Sequence, residues 1–198
     1  MIVVKLGGSM LTEPELRQWL AAIATQSDGH VVIVPGGGLY ANAVRQAQME
    51  AGFDDRAAHR LAVMAMDQYG QSLAALEPRL VTAGSELELA ESSWQHRGII
   101  WLPSHMVLAE ESIPATWDMS SDSLSAWLAG RIKARHLILV KSLETLSGLS
   151  LQELTEQGVV DPLFPQFAEQ AGCPVLCVGK AEIGKFAALL KNDVELID

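Results

Sequence analysis

The chain has 198 residues, 49% hydrophobic and 19% charged, with a formal net charge of −10; this is enough sequence for one domain with a sizeable core and too apolar for a disordered chain. The acidic balance argues against non-specific nucleic-acid binding, which needs a basic footprint, and no apolar run reaches the roughly 18–20 residues that span a bilayer. No basic leader with an apolar stretch precedes the first strand, so a cytoplasmic location is expected.

Ile2 to Leu6 reads as a buried strand and Val31 to Val34 as another. Between them Pro14 to Ala24 reads as a helix, with Thr12 as its N-cap and Pro14 in its first turn. Gly37 to Ala51 is helical. Asp55 to Leu76 is a longer helix with Ala58, Leu61, Ala62, Ala65 and Tyr69 on one face, ended by Pro78. Leu80 to Thr82 and Gly98 to Leu102 are short strands, and the polar, acidic stretch Thr82 to Ser93 is the loosest region. Ser120 or Ser121 caps a helix running to about Ala134. His136 to Val140 is a buried strand, Pro162 to Gln170 a short helix, Pro174 to Val178 a strand, Glu182 to Leu190 a helix, and Val194 to Ile197 an edge strand. Helices alternate with continuously apolar strands, the pattern of an α/β fold whose mostly parallel sheet is covered on both faces. No linker divides the chain, so residues 1–198 read as a single domain.

Two glycine runs follow the first two strands. V-V-K-L-G-G-S holds Lys5, Gly7, Gly8 and Ser9, and V-P-G-G-G holds Gly36, Gly37 and Gly38. Bare backbone lets a ligand approach closely, and a helix N-terminus presents unpaired N–H groups to an anion. A lysine inside an apolar strand is costly without an anionic partner. Two such loops and one lysine are the layout of a phosphoryl-transfer site. The bland alternative is a pair of tight strand-to-helix turns.

The third element is S-S-D-S-L-S-A-W-L-A-G, where Asp122 sits at a helix start. It is either ordinary N-terminal charge or a carboxylate that orients a lysine. Gly179 to Lys185 imitates a phosphate loop, but Phe186 stands where the magnesium-binding hydroxyl would be. Lys180 and Lys185 remain candidates for a phosphate at that helix start. His59, Arg60, Met64 and Asp67 are weaker candidates, with Arg60, Met64 and Asp67 on one helical face. Trp94, Trp101, Trp117 and Trp127 read as core or interface. Cys173 and Cys177 read as thiols on a strand, with a disulfide or metal pair as the other reading. No zinc or nucleophile-triad motif occurs.

Taken in order, K-L-G-G-S, V-P-G-G-G, S-S-D-S-L-S-A-W-L-A, L-I-L-V-K-S and V-L-C-V-G-K resemble the amino acid kinase superfamily over nearly the whole chain. The resemblance implies a three-layer α/β/α sandwich with the acceptor over the N-terminal half and ATP over the C-terminal half. Lys5 would stabilise the transferring phosphoryl group and Asp122 would hold that lysine in place. Gly7, Gly8 and Ser9 would contact ATP phosphates, with Lys141, Ser142, Gly179 and Lys180 around the nucleotide. Gly36, Gly37 and Gly38 would bind the acceptor's phosphate or carboxylate. Mg²⁺ would arrive with ATP, and a homo-oligomer is implied.

Ala58 to Gly70 and T-W-D-M-S-S-D-S-L-S-A-W-L-A are similar to a short branch that phosphorylates an aminomethylfuran-methyl phosphate in methanofuran biosynthesis. An acidic partner for the amine would then be needed, with Asp67 and Asp118 as candidates. The chain departs from the family where Lys141-Ser142 replaces Thr-Asp, Glu-Thr-Leu replaces Asp-Gly-Val and Val-Gly-Lys replaces Val-Asn-Gly. The stretch that often carries a second catalytic lysine is cut down, which leaves Lys141 and Lys180 as candidates for that role. The leading expectation is an ATP-dependent small-molecule kinase. The alternatives are a non-catalytic nucleotide- or oxyanion-binding relative and a uridylate-kinase-like enzyme.

Overall fold

The computed structural model describes residues 1–146 and 148–191. Their order is β1 (Ile2–Leu6), a 3₁₀ turn (Gly8–Thr12), α1 (Glu15–Gln26), β2 (Val31–Pro35), α2 (Gly38–Ala51), α3 (Asp55–Leu76), β3 (Val81–Ala83), α4 (Glu86–Trp94), β4 (Ile99–Trp101), α5 (Ser104–Val107), α6 (Ser121–Arg131), β5 (His136–Lys141), α7 (Leu151–Glu156), α8 (Phe164–Ala171), β6 (Val175–Gly179) and α9 (Ile183–Lys191). The strands form one parallel sheet in the order β3-β4-β2-β1-β5-β6. The edge strand expected at Val194 to Ile197 lies outside the described residues.

Side chains alternate across the sheet and divide the core in two. Val3, Val32, Val34, Leu137 and Leu139 face α6, α8 and the inner side of α4. Val4, Leu6, Ile33, Ile138 and Val140 face α1, α9 and the second half of α3, around Trp19, Tyr69 and Phe186. This is the expected three-layer α/β/α arrangement, with strands that are apolar on both faces. The strand order turns at β1, which pairs β2 on one side and β5 on the other. Open parallel sheets bind ligands at the carboxyl ends of strands that meet at such a point.

Three local expectations are corrected. Thr12 does not cap α1; it closes the 3₁₀ turn, with its hydroxyl 3.5 Å from the Ser9 carbonyl, and Pro14 is the N-cap. The inward stripe of α3 is Ala58, Val63, Ala65, Met66, Tyr69 and Leu73, while Leu61 is exposed. The acidic stretch after β3 is largely α4. Ser85 accepts from the Glu88 N–H at 3.3 Å and the Glu88 carboxylate accepts from the Gly84 N–H at 2.6 Å, which closes the helix start from both sides.

Candidate active site

Lys5 lies near the carboxyl end of β1, in register with Val34 and Leu139. Lys141 ends β5, opposite Gly179 of β6. Lys5 is two residues from Val3, and Lys141 two residues from Leu139, so strand alternation turns both towards the α6 face. The N-terminus of α6 delivers Asp122 between them. The Lys5 ammonium pairs with Oδ1 at 2.8 Å, and Lys141 donates to Oδ2 at 2.6 Å. Lys5 and Asp122 are each only 4% exposed.

Burial alone would raise the Asp122 pKa, but the two ammonium groups outweigh it and hold the carboxyl below its ordinary range. Lys141 moves the other way. Burial, and then repulsion from Lys5, bring it down to about 8 against the opposing pull of Asp122. Cys177, on the same face of neighbouring β6, is a thiol pushed up to about 11 by burial.

A second carboxylate fixes Asp122 indirectly. Asp161 accepts from the Ser120 N–H at 3.0 Å and hydroxyl at 2.7 Å, from the Ser123 N–H at 3.0 Å, from the Ser123 hydroxyl, and from the Leu163 N–H at 3.2 Å. It thus satisfies donors at the start of α6, where a negative charge also meets the helix dipole. Asp161 was not among the candidate residues, although Asp followed by Pro162 is a turn signal.

The two glycine runs touch. A Cβ on Gly8 would lie 2.6 Å from the Gly38 Cα, and one on Gly36 would lie 2.7 Å from the Gly8 Cα. Gly7 is engaged by the protein, its N–H donating to Val140 and its carbonyl accepting from Tyr69 at 3.3 Å. Among the described residues, the N–H groups of Gly8, Ser9, Gly37 and Gly38 donate to no other group. These four residues line a cavity of about 550 Å³. Its other walls include Leu11, Glu13, Arg45, His59, Met66 and Trp117, together with Ser120 and Ser121 at the start of α6. Unpaired N–H groups from two loops and a helix start are the donors that suit an anion.

On the β5 and β6 side, the Ser9 hydroxyl donates to Ser142 at 2.9 Å, which ties the first loop to the end of β5. Gly179 packs against the backbone of Leu143 and Glu144, and its N–H donates to the Glu182 carboxylate at 2.8 Å. That carboxylate, with Phe186 buried in the core, occupies the start of the phosphate-loop look-alike. Lys180 does not join Asp122. It contacts Glu13 at 2.7 Å and Glu144 at 3.1 Å, and hydrogen bonds to those carboxylates raise its pKa.

The two acidic candidates for an amine do not line the cavity. Asp67 accepts from the Ser104 N–H at 3.1 Å and from its hydroxyl, which caps α5. Asp118 is exposed beside Trp117. Met64 is exposed and His59 is half-buried at the cavity wall. Arg60 is exposed on the outer side of α3. Arg45 and Glu13 line the cavity without having been singled out in the sequence, and Trp117, read there as core or interface, lines it too. Among the described residues no group of three or more His, Cys, Asp or Glu side chains is arranged to hold a metal ion, and no helix is long and apolar enough to cross a membrane.

Residues 1–146 match the amino acid kinase family. The chain is 30% identical, over 146 residues, to [5-(aminomethyl)furan-3-yl]methyl phosphate kinase of Methanocaldococcus jannaschii, an alignment covering 73% of this chain and 67% of that one. Uridylate kinase from Archaeoglobus fulgidus superposes with a TM-score of 0.70 at 18% identity, over 96% of this chain and 95% of the other. An isopentenyl phosphate kinase superposes at 0.61 and 14% identity, covering 96% of both. At those identities the two structures speak for the fold.

Proposed function

This chain belongs to the amino acid kinase family and is a phosphotransferase, and from that premise we propose that it moves the γ-phosphoryl group of ATP to a small acceptor bearing a phosphate or carboxylate. The observation that carries this reading is Asp122, whose single carboxylate holds two lysine ammoniums beside two loops of unpaired N–H groups.

The transfer moves negative charge across a gap between donor and acceptor, and its catalysis is positioning and charge neutralisation. Lys5 and Lys141 supply the positive charge, and Asp122 aims both. Lys141 takes the role of second lysine, because Asp122 holds it while Glu13 and Glu144 hold Lys180. Gly8 and Ser9 donate to the transferring group. Gly37 and Gly38 donate to the acceptor's anionic group. Ser142, Gly179 and Lys180 border the nucleotide over the C-terminal half, and the acceptor lies over the N-terminal half. Mg²⁺ would be carried in by the nucleotide, and it would supply charge neutralisation at the phosphates.

The specific acceptor is proposed to be an aminomethylfuran-methyl phosphate, as in the name of the Methanocaldococcus jannaschii relative, which places the reaction in methanofuran-type cofactor synthesis. The working form is proposed to be a cytoplasmic homo-oligomer, for which exposed Met49, Leu61 and Met64 supply apolar surface. ADP release measured with ATP and, in turn, this furan phosphate, UMP, isopentenyl phosphate and aspartate tests the reading. Turnover with the furan phosphate above the others is expected. Turnover with none of them would remove the acceptor assignment, and preference for UMP would make the enzyme a uridylate kinase.

A further inference from the structure

The cavity beside the glycine loops carries few charges on its described walls. Its carboxylate is Glu13, which already holds the Lys180 ammonium at 2.7 Å. Its imidazole is His59, whose pKa burial lowers from the ordinary histidine value, which favours the uncharged ring. Its guanidinium is Arg45, on the same face of α2 as Ala41 and Asn42.

Arg45 is held against an aromatic ring. Its guanidinium carbon lies 4.3 Å from the centre of the Trp117 ring. Trp117 also lines the cavity, and its indole N–H donates to Gln48 Oε1 at 2.7 Å, one turn further along α2. The aromatic plate is therefore tied to the helix that carries the arginine. Among the described residues no carboxylate pairs with Arg45, whereas Arg79 and Arg131 each pair with glutamate. In a chain of net charge −10, an unpaired guanidinium on a cavity wall is a charge left for a ligand. Stacking occupies one face of the guanidinium and leaves its in-plane N–H fork free. Gly37 and Gly38, at the start of the same helix, bring further unpaired N–H groups to the same wall.

We propose that Arg45, held on Trp117, is the residue that selects a phosphomonoester acceptor by gripping its phosphate. The proposal rests on the cavity being the acceptor site of the kinase. A phosphate has three terminal oxygens and can meet the arginine fork and the glycine N–H groups together. A carboxylate has two and leaves donors unmet. Lys5 and Asp122 act on the transferring group, so Arg45 affects recognition of the acceptor more than the chemical step.

The test is the split between KM and kcat in Arg45→Ala and Arg45→Lys, using whichever of the furan phosphate, UMP and isopentenyl phosphate the wild type turns over. Arg45 is exposed on a helix and alanine is a strong helix former, so the variants retain the fold. Loss of a charge-assisted bidentate contact is expected to raise acceptor KM by about tenfold to a hundredfold, with a smaller effect on kcat and none on the KM for ATP. Lysine, lacking the fork, restores only part of the loss. A second measurement needs no turnover. Inorganic phosphate titrated into wild type is expected to change tryptophan emission in a saturable way. That change is lost in Trp117→Phe and shifted to at least about tenfold higher phosphate in Arg45→Ala. An unchanged acceptor KM in Arg45→Ala, an unchanged phosphate midpoint, or a wild type that prefers aspartate over every phosphomonoester would each overturn the proposal. Undiminished turnover in Lys5→Ala would instead strike the kinase mechanism itself, so the two failures are distinguishable.

Discussion

Gly8 packs so closely on Gly38 that a Cβ on Gly8 would lie 2.6 Å from the Gly38 Cα. Gly38 itself has φ of +53°, a conformation that costs other residues strain. The two glycine loops are thus one packed unit, and their separation is set by the missing side chains. Gly8→Ala must push backbone against backbone. It should cost at least about 1–3 kcal/mol, read as a lower melting temperature, and turnover should fall with it. An unchanged melting temperature would show that the loops part easily.

Asp122→Asn removes the charge that two buried ammoniums share. Breaking a buried pair from one side costs about 3–5 kcal/mol, and urea unfolding at neutral pH should show a loss of that order. Adding Lys5→Met to Asp122→Asn should recover part of it, because one of the stranded charges goes too. A double variant no more stable than the single one would mean that the ion pairs contribute little.

Lys141, at about 8, links activity and stability to pH in opposite directions. In the proposed reaction its cationic form neutralises phosphate, so kcat/KM for ATP should fall as pH rises through about 8, and Lys141→Arg should extend the plateau to higher pH. An unfolded lysine titrates near 10.4. Between about 8 and 10.4 the unfolded chain therefore binds more protons than the folded one at this group, and the stability contribution of Lys141 rises with pH there. A flat ATP profile from pH 7 to 9.5 would exclude Lys141 from the reaction.

Asp161 sits outside the cavity lining yet holds Ser120, Ser123 and Leu163. Asp161→Ala leaves several donors at the start of α6 unmatched and should destabilise by about 1–3 kcal/mol. Because Asp122 rides on that turn, kcat should fall as well. Stability loss with unchanged kcat would make Asp161 purely a fold residue.

Much of the site could be read from residue type and alternation. Lys5 in a run of valines demanded an anion, and Asp122 at a helix start could supply one. The choice between Lys141 and Lys180 needed the register of β5 against β1, which places Lys141 on the α6 side and is not written in local sequence. Asp67 and Asp118 failed as cavity residues for a related reason. Asp67 caps α5, a helix of four residues too short to leave a periodic pattern. Arg45 escaped notice because its partner Trp117 comes from a loop brought across by tertiary folding, as the Gln48–Trp117 bond between residues 69 apart shows. The start of α4 was legible: Ser85 with Glu88 three residues on has the sequence of a helix start, and in the fold Ser85 caps the helix while the Glu88 carboxylate takes the Gly84 N–H.

The most direct test of the account is ADP formation by Lys5→Ala with ATP and the acceptor that wild type uses best, alongside a melting curve. Removal of one preorganised positive charge at the transferring group should lower kcat by roughly two to three orders of magnitude. Asp122 keeps Lys141 as a partner, so the variant should still unfold cooperatively. A folded Lys5→Ala enzyme that forms ADP at close to the wild-type rate would contradict the assignment of this site.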